Sequence, residues 1–312
     1  MLLAEYAITP DVFDITSYAS EDLCAARLET IRESILNESI VRDLRDGAWS
    51  VLFKDNHRPW HRRARELVRK LATQNRLVPF SAQLQADPAT DIQWCDEAIA
   101  SHGVDPVSGI IVSAEIAHGF AGNPVVTSID RLGGAPWWSG RSPSMRLTRC
   151  LVDYQHALSL VLRHANSIMF IDPHLDPSQG RYQDFVTLIT GAGNRQASPL
   201  IEIHRVCYRG SGKNRQILDL NALEGTFHAA LDGPLRQVGL TAEVFIWDDF
   251  HDRYVISDLV GISLPNGFDT TGAANARTTW TRMGRNDRDD VQREFDPASG
   301  AHALRRRFRM GI

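Results

Sequence analysis

The segment from Phe245 to Asp269, FIWDDFHDRYVISDLVGISLPNGFD, carries a histidine, an arginine and an aspartate in the pattern H-x-R-x4-D. These residues are His251, Arg253 and Asp258. Side chains two residues apart on a strand share one face, so a strand here would aim His251 and Arg253 at one point. An imidazole that attacks phosphorus or moves a proton, beside a guanidinium that holds a phosphate oxygen, suits phosphate-ester chemistry. The odd separation of Asp258 from His251 requires a turn, which SDLVG supplies, if the carboxylate is to join them.

The elements around this pattern follow from hydrophobic periodicity and turn residues. Four stretches have the apolar character of buried strands. Each of the first three strands is preceded by a stretch whose apolar residues have helical spacing. The strands are SIMFIDPHL, PLIEIHRVCYRG, TAEVFIWDDF and HDRYVISD, and the helices are RLTRCLVDYQHALSLVLRHA, YQDFVTLITGAG and ALEGTFHAALDGPLRQVG. Alternation of this kind predicts an α/β fold with a sheet that is at least partly parallel.

The first part of the chain contains a second mixture of predicted helices and strands. Ser20 is a candidate N-cap of one helix, Gly103 a candidate left-handed cap of another, and GAWSVLF is predicted as a strand or a buried turn. The segment RLGGAPWWSGRSPS, residues 131–144, is rich in glycine, proline and serine, which predicts a domain boundary or a flexible loop. We therefore predict an N-terminal mixed α/β region over residues 1–140 and a second α/β domain over residues 141–312.

The region from about Leu151 to Asp269 resembles the phospholipase D superfamily. IMFIDPHL is similar to the buried first strand of the family's repeat, PLIEIHRV stands where its second strand is expected, and HDRYVISD matches its H-x-K-x4-D box. HDRYVISDLVGISLPNGFD is similar, more narrowly, to the phospholipase D-like C-terminal domain of MIT-domain midbody proteins and its bacterial relatives. The resemblance implies a phospholipase D-like α/β sandwich for residues 141–312.

The chain departs from the family pattern at three points. Arg253 replaces the usual lysine, so a planar fork stands where a compact ammonium is expected. The family's downstream G-[SG]-x-N is out of register. The chain has one box, whereas the enzymes of the superfamily direct two histidines at one phosphate. The second histidine would come from another copy of His251 in a homodimer, from His174 or from His204; with none of these, the site binds phosphate without cutting it.

The resemblance implies two alternative functions. The first is a metal-independent histidine phosphodiesterase, a nuclease-like component of a bacterial system such as phage defence, with nucleic acid as its substrate. In this interpretation His251 is the nucleophile or the acid, Arg253 holds the phosphate, and Asp258 is the orienting carboxylate. His174 is then the candidate second histidine. The second alternative is a non-catalytic adaptor that binds a protein partner, nucleic acid or anionic lipid; the eukaryotic domains are thought to bind anionic membranes.

Three basic stretches are candidate contacts to a nucleic-acid backbone. HRPWHRRARELVRK surrounds an apolar helical stripe with cations, YRGSGKNRQ follows a strand, and RRRFR lies near the end of the chain. Each has an ordinary alternative as a solvated face, a mobile loop or a contact to a partner protein. The predicted phosphate-binding residues are Arg62, Arg63, Arg69, Lys213, Arg305, Arg306 and Arg307.

Composition limits the other classes of function. The 312 residues carry a net charge of -4, so binding of nucleic acid depends on local patches. The four cysteines form no C-x-x-C pair, which disfavours a metal cage or a disulfide framework. In DPHLDP the prolines favour a turn at a strand end over a metal site. No stretch has the roughly 18 apolar residues of a membrane span. We predict a cytoplasmic protein without metal, cofactor or integral membrane contact.

Overall fold

The computed structural model describes residues 2–55, 57–210, 212–273 and 275–311; the side chain of Lys213 lies outside this description. Helices and strands are mixed along the chain, and the α/β fold class predicted from the sequence is confirmed. The chain divides into two compact units. The first unit is Leu3–Arg141, and the second consists of Ser142–Ile312 together with the two N-terminal residues.

The first unit is built on a parallel sheet. Its strands are β1 (Ala4–Ile8), β2 (Ser39–Leu44), β3 (Leu77–Phe80), β4 (Gly109–Val112) and β5 (Val126–Ser128). Its helices are α1 (Glu21–Asn37), α2 (Ala48–Val51), α3 (Arg62–Thr73), α4 (Asp91–Val104), α5 (Ala114–Gly119) and α6 (Pro136–Ser139). Neighbouring strands all run parallel, in the order β3-β2-β1-β4-β5.

Local sequence explains the longer helices of this unit. The Ser20 hydroxyl accepts a hydrogen bond from the Leu23 amide at 3.2 Å, which caps α1 as predicted. Thr90 and Gln93 form a reciprocal capping box at the start of α4. Helix α3 presents one apolar stripe to the core, because its buried residues are spaced three or four apart. These residues are Ala64, Leu67, Val68 and Leu71.

Three further expectations for this unit have different outcomes. GAWSVLF forms α2 and a following 3₁₀ turn with Trp49 and Phe53 buried, so the buried-turn alternative holds and the strand does not. Gly47 turns the chain before it with a φ of +99°. Gly103 lies inside α4, which continues to Val104, so it is not a left-handed cap. The boundary between the two units, at Arg141 and Ser142, falls within residues 131–144 as predicted, and the 3₁₀ segment Ile129–Gly134 and α6 cover much of the same stretch.

The second unit contains a larger, mixed sheet. Its helices are α7 (Leu151–His164), α8 (Gln183–Thr190), α9 (Leu220–Gln237) and α10 (Arg285–Glu294). Its strands are β6 (Ser144–Thr148), β7 (Ser167–Ile171), β8 (Leu200–Val206), β9 (Tyr208–Arg209), β10 (Gln216–Ile217), β11 (Ala242–Trp247), β12 (Tyr254–Ser257), β13 (Gly261–Ser263), β14 (Arg277–Arg282) and β15 (Leu304–Met310). Eight strands form one sheet in the order β15-β11-β8-β7-β12-β13-β14-β6, and β9 pairs with β10.

The centre of this sheet defines one edge at which loops converge. Strands β7, β8 and β11 are parallel neighbours, so their carboxyl ends lie side by side. Strand β12 runs antiparallel to β7, with Tyr254 opposite Ile171, so its amino end lies at the same place. We call this the carboxyl edge. Ligands of open α/β sheets commonly bind outside the carboxyl ends of parallel strands.

The strand predicted over HDRYVISD is shorter than the H-x-R-x4-D pattern, because β12 covers only Tyr254–Ser257. Strands β11 and β12 are not neighbours, because β8 and β7 lie between them. His251 and Arg253 precede β12 instead of lying on it. The turn predicted in SDLVG is present, since the Ser257 amide donates to the Val260 carbonyl at 2.9 Å.

Candidate functional site

A buried carboxylate lies where β7 ends and β12 begins. Asp172 follows β7 directly and is 0% exposed. The amides of His174 and Phe268 donate to its carboxylate at 3.0 and 3.1 Å, and Nε of Arg253 lies 3.7 Å from Oδ1. Burial raises the pKa of Asp172, while these amides and the Arg253 charge oppose the rise. Asp172 thus anchors Arg253 from the buried side of the carboxyl edge.

A glycine allows the loop after β13 to approach this carboxylate. Gly267 has a φ of +64°, in the left-handed region that favours glycine. A Cβ at this position would lie 1.9 Å from Oδ2 of Asp172 and 2.9 Å from Cδ of Arg253. A residue with a side chain therefore does not fit here without displacing the Phe268 amide from the carboxylate. The Asn-Gly pair in PNGFD predicts a turn, but the sequence alone does not show what that turn contacts.

His174 is a half-buried histidine at the same edge. Its ring centroid lies 6.2 Å from that of Tyr208. Burial lowers the pKa of the imidazole to about 4, and the charges of Arg253 and Arg205 add to this effect. The ring is therefore neutral at pH 7, as a nucleophile or a general base must be.

A buried guanidinium adds positive charge beneath the edge. Arg205 is 2% exposed. It donates hydrogen bonds to the backbone carbonyls of Leu175, Val206 and Tyr208 at 3.1, 2.8 and 3.2 Å. Carbonyl oxygens carry only partial charge, so the guanidinium keeps a positive potential that favours an anion at the edge.

His251 is the most exposed member of the group. Its side chain is 73% exposed, and Nε2 lies 3.4 Å from Nη2 of Arg215 and 4.0 Å from Oδ1 of Asp249. The Asp249 carboxylate accepts hydrogen bonds from the Tyr208 hydroxyl and, at 2.9 Å, from Nη1 of Arg215. The exposed part of the edge thus combines an imidazole, a guanidinium and a carboxylate. The side chain of Lys213, predicted to contact phosphate, lies outside the described residues.

Asp258 does not join this group, and the prediction that it approaches His251 or Arg253 is wrong. Its Oδ1 accepts hydrogen bonds from the amides of Asn166 and Ser167 at 3.0 and 3.4 Å. Strand β12 lies between Asp258 and Arg253, which separates their Cα atoms by about 16 Å at roughly 3.3 Å per residue. The turn in SDLVG leads into β13 and does not return the carboxylate to the carboxyl edge.

His204 is a core residue. It is fully buried, and its ring stacks on Phe245 at 4.8 Å. Its Nδ1 accepts a hydrogen bond from Nε1 of Trp247 at 3.1 Å, and its Nε2 lies 3.2 Å from Glu202. Of the two histidines predicted as partners of His251 within the chain, the fold therefore brings His174 to the edge and retains His204 in the core.

The predicted basic face of α3 carries mixed charge. Arg62 and Arg69 are exposed. Arg63 lies 3.6 Å from Glu29, which also pairs with Arg32 at 2.8 Å. A nucleic-acid backbone at Arg63 would have to compete with this carboxylate.

The basic run near the end of the chain forms β15, beside β11. Arg306 pairs with Glu224, and Arg307 pairs with Glu243. Arg305 is exposed. Two of the three predicted phosphate contacts in this run are therefore already neutralised by carboxylates of the same unit.

The first unit has its own polar cluster, which the sequence did not indicate. Asp11 follows β1, is 2% exposed, and accepts a hydrogen bond from the Ser113 amide at 2.7 Å. Burial raises its pKa. Arg58 bridges Asp14 and Asp91 at 2.6 Å each. These contacts tie the segments after β1 and β4 to the start of α4.

Comparison with known proteins gives no family. No family model matches the chain, and no curated protein matches it. Among solved structures, the chain is similar to TrmBL2, an archaeal chromatin protein whose structure is described as showing a novel mode of DNA binding. The two chains are 11% identical, the match covers 79% of this chain and 84% of that chain, and the TM-score is 0.31. A score this low establishes no shared fold.

Two further features concern the helices and the possible metal ligands. Among the helices of the described residues, none has both the length and the apolar character needed to cross a membrane. In the same part of the chain, no three histidine, cysteine or acidic side chains are grouped as metal ligands. In DPHLDP, the carboxylate of Asp172 accepts a hydrogen bond from the His174 amide, and the carboxylate of Asp176 accepts one from the Ser178 amide.

Proposed function

We propose that the second unit is a phospholipase D-like domain whose carboxyl edge binds and hydrolyses a phosphodiester of a nucleic acid. The observation that carries this proposal is the placement of Arg253, His251 and His174 at one edge of the sheet. A guanidinium binds phosphate oxygens and the charge that develops on them. Two imidazoles supply the nucleophile and the acid of a two-step displacement at phosphorus.

The protonation state of His174 favours one assignment of roles. His174 is the nucleophile, because a pKa of about 4 leaves its imidazole unprotonated at neutral pH. Its nitrogen attacks phosphorus, the bond from phosphorus to the leaving oxygen breaks, and that oxygen takes a proton from His251. Water then gives a proton to His251, attacks phosphorus and breaks the phosphorus–nitrogen bond, which restores both imidazoles. Arg253 neutralises the phosphoryl oxygens in both steps.

This pair of histidines has a consequence for assembly. Since His174 and His251 belong to one chain, the site needs no histidine from another copy, and activity per chain should not depend on protein concentration. Homodimer formation, a protein partner, a cytoplasmic location and a role in a bacterial defence system stay predictions.

One contact favours a second candidate, a non-catalytic adaptor that holds phosphate. Nε of Arg253 is directed to Asp172 at 3.7 Å, and the Arg253 side chain is only 27% exposed. His251 is 73% exposed, and its nearest carboxylate is 4.0 Å away. A site of this kind binds an anion without orienting a nucleophile.

Cleavage and binding of labelled single-stranded DNA and RNA separate the two candidates. His174→Gln and His251→Gln are each expected to lower turnover by about 10²-fold or more while binding is kept, because proton transfer and nucleophilic attack act in the transition state. Arg253→Ala is expected to weaken binding by about 1.5–3 kcal/mol, the value of a charge-assisted hydrogen bond.

Asp258→Ala is the matched control, since it removes the last residue of the motif at the far end of β12. It should retain both turnover and binding. Wild-type protein that binds without cutting, with a loss confined to Arg253→Ala, selects the adaptor. Wild-type protein that neither binds nor cuts rejects both candidates.

A further inference from the structure

A second guanidinium beside the proposed site is held by a carboxylate of the protein itself. Arg215 lies over the Tyr208 ring, 4.4 Å from its centroid, and its Nη1 donates to Oδ2 of Asp249 at 2.9 Å. The other oxygen of Asp249 accepts from the Tyr208 hydroxyl and lies 4.0 Å from Nε2 of His251. The carboxylate thus contacts the guanidinium and faces the histidine at once.

A phosphate would make the same contacts. Carboxylate and phosphate both present paired acceptor oxygens to a guanidinium fork. A phosphodiester that reaches His251 therefore meets Arg215, whose Nη2 is 3.4 Å from the imidazole, and competes with Asp249 for it. Both partners are partly exposed, 34% for Arg215 and 43% for Asp249, so the ligand has access to the pair.

We propose that Arg215 is a further phosphate-binding residue and that Asp249 is its internal counter-ion, which the phosphodiester displaces on binding. This inference rests on the proposed function of the carboxyl edge. Exposed ion pairs contribute little to stability, so replacing the Arg215–Asp249 pair by a contact to phosphate costs little free energy. The Tyr208 hydroxyl keeps a hydrogen bond to Asp249 when the guanidinium turns to the ligand.

The charge of Asp249 is present under ordinary conditions. Burial alone would raise the pKa of this carboxyl, but hydrogen bonds from Tyr208 and Arg215 lower it overall. At neutral pH the carboxylate is therefore ionised, and it competes with an anionic ligand.

The test is binding of a fluorescein-labelled single-stranded oligonucleotide to the full chain. Asp249→Asn removes the charge and retains an acceptor for Tyr208, so we expect about two- to fivefold tighter binding, the factor that corresponds to an exposed ion pair. Arg215→Gln should weaken binding. In the double variant, Asp249→Asn should no longer tighten binding, because its effect acts through Arg215.

Glu115→Gln is the matched control for net charge. Glu115 is an exposed residue in the first turn of α5, in the first unit. Equal tightening in Glu115→Gln and Asp249→Asn would indicate a general charge effect and overturn the inference. Unchanged or weaker binding in Asp249→Asn, with a loss still present in Arg253→Ala, overturns it and leaves the proposed function standing. An oligonucleotide that the wild-type chain does not bind overturns both.

Discussion

The protonation state of His174 supports its proposed role as the nucleophile at the carboxyl edge. Burial and neighbouring guanidinium groups lower its pKa to about 4, whereas an unfolded chain has a histidine pKa of about 6.5. Between these values the unfolded state binds more protons than the folded state. The contribution of this residue to folding stability is therefore fully retained above about pH 6.5 and falls as the pH decreases toward 4.

The first prediction concerns this imidazole. Arg253→Gln should raise the pKa of His174, because the Arg253 charge is the largest cause of the lowered pKa after burial. Arg309→Gln is the control, because Arg309 pairs with Glu243 at the other end of β11. This substitution should leave the pKa of His174 unchanged. Titration of the ring followed by NMR measures both. A wild-type ring that titrates above about pH 7 contradicts the assignment of His174 as the nucleophile.

The second prediction separates Asp258 from the chemistry. Asp258→Ala removes an acceptor from the Asn166 and Ser167 amides, so the free energy of unfolding should fall by about 0.5–1.5 kcal/mol. Denaturant unfolding at pH 7 measures this change. The affinity of the folded Asp258→Ala variant for the oligonucleotide should equal that of the wild type. A loss of binding as large as that of Arg253→Ala would restore Asp258 to the site.

Single residues of the site differ in how far the sequence predicts them. The H-x-R-x4-D spacing predicts His251 and Arg253 as site residues. The position of His174 at the end of a predicted strand makes it a third candidate. The position predicted for Asp258 is wrong, because the spacing does not show that the chain continues into β13 after its turn. Asp172, Arg215 and Asp249 come from three separate loops, and their meeting depends on the strand order.

At the scale of elements, strand positions were easier to predict than strand neighbours. The apolar runs of β7, β8 and β11 predict buried parallel strands, but nothing in them shows that β12 adds to β7 instead of β11. Strand β15 was missed because arginines alternate with buried Phe308 and Met310, so that the segment resembles a basic tail. Alternation of this kind is typical of a strand with one solvated face.

The third prediction tests the loop that carries Gly267. Gly267→Ala should destabilise the second unit, because a left-handed φ costs about 1–2 kcal/mol in a residue with a Cβ and the clash with Asp172 adds about 1–3 kcal/mol. Gly300→Ala is the matched control, with a φ of +69° and open space around the added Cβ. Denaturant unfolding compares them. Equal losses would mean that the close approach to Asp172 contributes nothing.

At the scale of the whole molecule, three of the arginines predicted to contact phosphate, Arg63, Arg306 and Arg307, already pair with carboxylates. The net charge of the chain is -4. In the proposed function, contact with a phosphodiester depends on few guanidinium groups, foremost Arg253 and Arg215. This limits how strongly binding can depend on salt.

The last prediction follows from this small number of contacts. Each neutralised phosphate of a single strand contributes about 0.7 to the slope of log affinity against log salt, so two contacts give a slope of about 1.4 in magnitude. Arg253→Gln should lower that slope by about 0.7, whereas Arg306→Gln, which removes a guanidinium already paired with Glu224, should leave it unchanged. Binding measured from low to physiological salt gives the slopes. A slope of about 5 would mean that a longer basic track contacts the strand. In that case Arg62→Gln combined with Arg69→Gln should lower the slope, and α3 would be a second nucleic-acid surface.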